Sequence, residues 1–234
     1  MRYVLAAMLT LVALQPAAAQ GFEGTVVIRL TAPGPNNTTG VGGMVLNIKG
    51  SRTAVVTRLV GEEVHIVTDS KARTRTVWLP KPPTVKFPPD MVAAGAVNGV
   101  MFTGTIAPTA GANAAVTLKQ LMTTETIAGI TCSDYDINTA QGVFRHMCAT
   151  PALGRFVFPD ATGASKNPAA PPSWAGAVDA AGVFPLRIWS TPGRNDLEVI
   201  SVTRRAVPDS AFVVPGGYLD MSKYHPNPNQ KQGD

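Results

Sequence analysis

Residues 44–79 read MVLNIKGSRTAVVTRLVGEEVHIVTDSKARTRTVWL, and this stretch decides the fold. Met44–Ile48, Thr53–Val60, Val64–Thr68 and Thr74–Leu79 are short runs rich in Val, Ile and Thr, residues that suit a pleated, half-buried surface. Gly61-Glu62 and Asp69-Ser70 punctuate them as tight turns. The gaps are too short for the crossover helices that parallel neighbours need, so the strands pair antiparallel in a meander. Upstream, Phe22–Leu30 supplies a fifth strand across the loop TAPGPNNTTG (31–40).

Downstream, LPKPPTVKFP (79–88) carries four prolines, with Pro89 next, and reads as an extended connector. Asp90–Ala96 has room for one helical turn. Strands resume at Val100–Ile106, Ala115–Leu121, Thr124–Ile127, Thr131–Ile137 and Val143–Ala149. In 161–182, 14 of 22 residues are Ala, Gly or Pro, which marks an insertion. Within it Ser173 is a candidate N-cap for a short helix Trp174–Ala181 that Gly182 ends. A last hairpin joins Phe184–Ser190 to Leu197–Arg205 through Pro192-Gly193-Arg194-Asn195. In its second strand Leu197 and Val199 point one way, Ile200 and Val202 the other, so both faces are covered or one meets a ligand. The expected fold is mainly β: a strongly curved antiparallel sheet or incomplete β-barrel with one or two short helices. One β-rich domain is expected over residues 20–220, with a disordered tail at 221–234.

Composition narrows the class. With 22 Gly and 20 Pro in 234 residues, coiled coils and helical bundles are excluded, because both residues break helices. MRYVLAAMLTLVALQPAAA (1–19) has Arg2, an apolar run and the small-x-small pair Ala17 and Ala19, the pattern of a cleaved secretory leader. Its apolar run is shorter than the ~20 residues a bilayer span needs. A periplasmic or secreted protein cut near Ala19 is expected, with no transmembrane segment in the mature chain. The net charge of +5 is concentrated in Lys49, Arg52, Arg58, Lys71, Arg73 and Arg75, with Lys81 and Lys86 beyond. That segment either attracts an anionic surface such as lipid headgroups or forms the polar face of several strands. Nucleic acid is not an expected partner, since no basic-aromatic motif accompanies the charge.

Catalytic signatures are missing. His65, His146 and His225 lack metal-ligand spacing, and no nucleophile elbow or phosphate loop occurs. Asp134 and Asp136 flank Tyr135 on one strand face, as solvated carboxylates commonly do. No cofactor, metal or enzymatic activity is expected. Cys132 and Cys148, alone in an exported chain and on consecutive strands, are expected to form a disulfide. Trp78, Trp174 and Trp189 either plug the ends of the core or form a ligand site, with Trp78 and Trp189 on the concave sheet and Trp174 closing over them.

TTETIAGITCSDYDI (123–137) resembles a strand pair of the exported bacterial family called domain of unknown function 4412. FPLRI (184–188) and SAFVVPGGYLDM (210–221) resemble its later hairpin strand and closing element, and FEGTVVIRL (22–30) its first strand. Pro215-Gly216 reads as a type II turn in the closing element. The layout is similar to that of LolA-like lipoprotein carriers, which implies a curved half-barrel with an apolar cavity for acyl chains. The function expected on these grounds is non-enzymatic binding of an apolar or amphiphilic ligand, a lipid or lipoprotein segment. The alternative is an envelope structural or interaction module with no small ligand.

Overall fold

Backbone hydrogen bonds pair the strands of the meander in the order read from the sequence. In a computed structural model, the residues described are 21–33, 39–59, 62–82, 84–106, 116–158, 174–191 and 194–225. The leader 1–19, residues 34–38 of the loop, Gly61 of its turn, Ala115, Ser173 with the first part of the insertion, the turn at Pro192-Gly193 and the end of the tail lie outside them. The strands β1 (Glu23–Pro33), β2 (Thr39–Lys49), β3 (Arg52–Leu59), β4 (Glu62–Asp69), β5 (Thr74–Pro80) and β6 (Gly99–Thr105) pair in sequence, each antiparallel to the next. A single turn of helix, α1 (Pro89–Ala93), follows the proline connector.

The second half contributes β7 (Thr117–Ile127), β8 (Ile130–Thr139), β9 (Gly142–Thr150), a short helix α2 (Ala175–Ala181), β10 (Phe184–Thr191) and β11 (Arg194–Arg204). β11 pairs antiparallel with β1 and fuses the halves into one large curved sheet. A 3-10 turn at Asp209–Phe212 and the short strand β12 (Tyr218–Asp220) complete the chain. The sheet has 12 strands in the order β12-β6-β5-β4-β3-β2-β1-β11-β10-β9-β8-β7. Among the described residues its end strands β12 and β7 do not meet, so the barrel is incomplete.

Five local expectations are corrected. β1 and β2 reach Pro33 and Thr39, so both ends of the loop at 31–40 are hairpin arm. The strands expected to end at Leu121 and to begin at Thr124 are one strand, β7, whose register against β8 shifts between Gln120 and Thr124. β12 runs parallel to β6, because the chain returns across the sheet and enters the edge in the same direction. Trp174, not Ser173, is the N-cap of α2, without a side-chain cap; Gly182 ends the helix in the left-handed region as expected, at φ 67°. In the closing element the positive φ falls on Gly217 (85°), one residue past Gly216.

Period-two alternation sorts the side chains. Val26, Leu46, Val55, Ile66 and Val77 are successive cross-strand partners, none more than 3% exposed. Burying each contributes roughly 1.5–3 kcal/mol. Leu197, Ile188 and Met147 continue this inner face through β11, β10 and β9. Leu153, Phe156, Trp174 and Val178 join the same core. On the outer face Val207 and Phe212 pack with Ala54 and Val67, as the C-terminal segment crosses the meander like a strap. Among the described residues no helix is long and apolar enough to cross a membrane.

Candidate functional site

α2 is the cover of the inner face, and its sequence explains how it is held. Ala175 and Val178 are buried, and so is Asp179. A buried carboxylate is costly unless it is paired and hydrogen-bonded. Arg73 of the β4–β5 turn donates from Nη1 to Asp179 Oδ2 at 3.1 Å, and Arg155, after β9, donates from Nε to Oδ1 at 2.6 Å. The Asp179 side chain is 7% exposed against 26% and 39% for the arginines, so the charge is sealed under two partly solvated guanidinium groups. Their positive charge also offsets the unfavourable placing of an acid toward a helix C-terminus.

Beneath α2 the aromatic rings form a row. Phe184 meets Phe156 at 5.1 Å between ring centres, Phe156 meets Phe158 at 6.3 Å, and Phe158 meets Trp174 at 5.6 Å, all edge to face. Such contacts contribute ~0.5–1.5 kcal/mol beyond burial. The arrangement is an apolar wall on an open sheet, closed by a seven-residue helix that is fastened by ion pairs.

The structure does not bring the three tryptophans together. Trp174 is buried with the inner core, whereas Trp78 alternates with the inward Val77 and stacks on His65 at 5.0 Å. Trp189 stacks on His146 at 5.5 Å, with the Arg187 guanidinium 4.5 Å from its ring centre. Trp78 and Trp189 therefore face away from α2. Trp78 is still only 5% exposed, which is why its placement escaped a reading from apolarity alone: both faces of β5 are covered.

The outer face of the second half carries a polar cluster over the disulfide. Cys132 and Cys148 are bonded, with Cα atoms 5.5 Å apart. Glu125 and Arg187 are the cross-strand partners of Cys132 and Cys148, and they pair with each other. This ion pair thus spans from β7 to β10 above the bridge on β8 and β9. Beside it, His146 Nδ1 lies 2.9 Å from Asp136 Oδ1. The ligand atoms of Glu125, Asp134 and Cys148 lie within 4.8 Å of one another. The sulfur is bonded to Cys132 and Glu125 is paired with Arg187, so the donor set is poor for a metal.

The six basic residues expected to meet an anionic surface are divided. Lys49 and Arg52 hold Asp209 of the strap at 3.2 and 2.6 Å, Arg73 holds Asp179, and Arg75 is also engaged. Arg58 stands opposite Glu63 on the outer face, and Lys71 is exposed in the β4–β5 turn. Hydrogen bonds from Arg52, then Lys49, hold the Asp209 carboxyl below 3.8. Burial, helped by Glu63, raises the Tyr218 hydroxyl above its ordinary value.

The latch on α2 was not read from sequence, although a signal existed: Asp179 is the only acid in residues 161–182. A lone carboxylate on an otherwise apolar helix asks for a cation.

A family model described as "Domain of unknown function (DUF4412)" matches residues 102–218, half of the chain. The match runs from the middle of β6 to the start of β12 and includes the disulfide, α2, the aromatic row and most of the strap. No curated protein matches the chain.

Proposed function

The chain belongs to the DUF4412 family, and from the half that carries that membership we propose an exported, non-enzymatic binding protein for an apolar or amphiphilic ligand, a lipid or lipoprotein segment. The observation that carries this reading is the latched helix. An unclosed sheet leaves its inner face to be covered, and α2 covers it with Trp174 and Val178 turned inward. The fastening is ionic, through Asp179, Arg73 and Arg155, and the disulfide lies on another pair of strands. An ionic fastening can be exchanged for water contacts as a helix lifts, whereas a covalent one cannot. An acyl chain entering under α2 would meet Trp174 and the phenylalanine row. The site reading thus keeps Trp174 and drops Trp78 and Trp189 from the ligand contacts. In this account residues 1–19 direct export to the periplasm or beyond, and of the six basic residues the exposed Arg58 and Lys71 would meet an anionic headgroup.

Brominated fatty acid, which quenches tryptophan at short range, tests it. Saturable quenching that disappears in Trp174→Phe and persists in Trp189→Phe is the expected result. Native protein that releases no lipid on extraction and shows no quenching would sink the reading. A second reading, an envelope interaction module, is favoured by Val45 and Val56. They are cross-strand partners on the outer face, each 44% exposed, beside Val27. Charged replacements there that leave quenching intact but abolish envelope association would support it.

A further inference from the structure

Among the described residues the sheet ends at an open edge in β7, whose 11 residues read TLKQLMTTETI. Thr117, Lys119, Gln120, Met122, Thr123, Thr124 and Thr126 are exposed, and Met122 is 103% exposed, as bare as in an extended peptide. A long edge strand presents unpaired N–H and C=O groups, and sheets usually blunt such edges with proline, charge, β-bulges or very short strands. The opposite edge is blunted in this way by the three-residue β12. β7 has no proline, it holds one cation and one anion, and its one irregularity against β8 lies at its middle, leaving a regular run on either side.

We propose that β7 is an interface for a second copy of this chain, which adds its own β7 antiparallel about a two-fold axis at Met122. The charges choose this partner. Lys119 and Glu125 stand at equal distances either side of Met122. A two-fold axis there sets Lys119 of each copy opposite Glu125 of the other, so both charges are matched twice. Parallel pairing in register would oppose like charges. Lys119 and Glu125 also share a face of the sheet, since their partners on β8 are Asp136 and Cys132, four positions apart. Directly opposed side chains have Cβ atoms ~4.5–5.5 Å apart, within reach of an ion pair. Glu125 already binds Arg187, and a carboxylate has a second oxygen to offer.

The register shift between Gln120 and Thr124 selects in the same direction. It divides the edge into two regular runs, 117–120 and 124–127. A straight foreign strand cannot follow that interruption along its length, whereas the two-fold copy carries the same one at the axis. The symmetry is closed, so the product is a dimer and not a fibre.

Sedimentation velocity on the purified chain over a wide concentration range should show a monomer–dimer equilibrium. Lys119→Glu, which opposes like charges at both ends, should raise the dissociation constant roughly tenfold or more. Mixing the Lys119→Glu and Glu125→Lys chains should restore a heterodimer, because each then carries the complement of the other. Met122→Cys should form an intermolecular disulfide under mild oxidant, since both native cysteines are bonded. A chain that stays monomeric throughout overturns the proposal. So does a dimer indifferent to Lys119→Glu, or one in which Met122→Cys fails to cross-link.

Discussion

Ala128 sits in the left-handed region at φ 49°, followed by Gly129 at 78°, in the two-residue turn that joins Ile127 to its partner Ile130. Two positive φ values are what a type I′ hairpin requires, and Asn-Gly meets them best. An alanine Cβ is strained there. Ala128→Asn should therefore stabilise the protein by ~0.5–1 kcal/mol, seen as a higher urea midpoint at unchanged slope. Two glycines test the same physics in the opposite sense. A Cβ at Gly182 would meet nothing within 4 Å, so Gly182→Ala should cost only the left-handed penalty, about 1–2 kcal/mol. At Gly99 it would lie 2.1 Å from the Leu79 carbonyl oxygen and 2.8 Å from the Tyr218 ring, where β5, β6 and β12 meet. Gly99→Ala should be the more damaging, with tyrosine fluorescence reporting release of Tyr218. Near-equal midpoints for the two alanine variants would refute this account of close approach.

α2 shows at the scale of an element what pattern reading catches and what it misses. Its C-terminus was legible from Gly182, because a left-handed cap needs no tertiary context. Its role was not, since Asp179 gains meaning only when Arg73, 106 positions away, folds beside it. The hairpins of the meander were legible for the same local reason, through turn residues and Val, Ile and Thr runs. Escaping notice were elements fixed by distant partners: the parallel β12, and the register of β7, whose alternation is broken by a bulge. The faces of Trp78 and Trp189 escaped likewise, because alternation separates two faces without saying which one α2 covers. Asp179→Asn should keep the shape and remove the charge that Arg73 and Arg155 bind. The loss is estimated at ~2–3 kcal/mol, below that for a fully buried pair because both arginines are partly solvated. Hydrogen exchange should quicken at Val178 and Gly182, whose amides bond within the helix and its cap, while the β1–β2 amides stay slow. Uniform acceleration across the sheet would mean that α2 is core and not a cover. The disulfide acts on different strands: Cys148→Ala opens a link of sequence separation 16 and should cost ~3 kcal/mol without loosening α2.

The whole molecule is held shut by pieces far apart in sequence. The β1–β11 seam joins its ends, with Gly24 opposite Arg204, and the strap then recrosses the outer face. The strap is anchored by charge as well as by apolar packing: Val207 and Phe212 pack with Ala54, and Arg52 lies 4.6 Å over the Phe212 ring. Asp209 bridges Lys49 and Arg52, while Asp220 of β12 accepts from the hydroxyl and backbone N–H of Ser222. Both carboxyls are held below 3.8, Asp209 chiefly by its hydrogen bond to Arg52 and Asp220 chiefly by that from the Ser222 side chain. A depressed folded pKa fixes the sign of the linkage. These carboxylates contribute stability that is complete above their unfolded value near 3.8 and is lost as pH falls through the lower folded values. Acid should therefore free the strap and β12 before it opens the meander, which is held by Val26, Leu46 and Val55 and contains no charge in that row. The measurement is hydrogen exchange at neutral pH and near pH 3, corrected for intrinsic rates. The amides of Ala211, Val213 and Met221, which bond to Pro208, Ser210 and Met101, should lose protection first. Asp209→Asn should bring that loss to neutral pH for Ala211 and Val213, because the neutral amide cannot hold Lys49 and Arg52 as the carboxylate does. If the strap and the β1–β2 amides lose protection together at every pH, the strap is a cooperative part of the sheet and the charges do not anchor it separately.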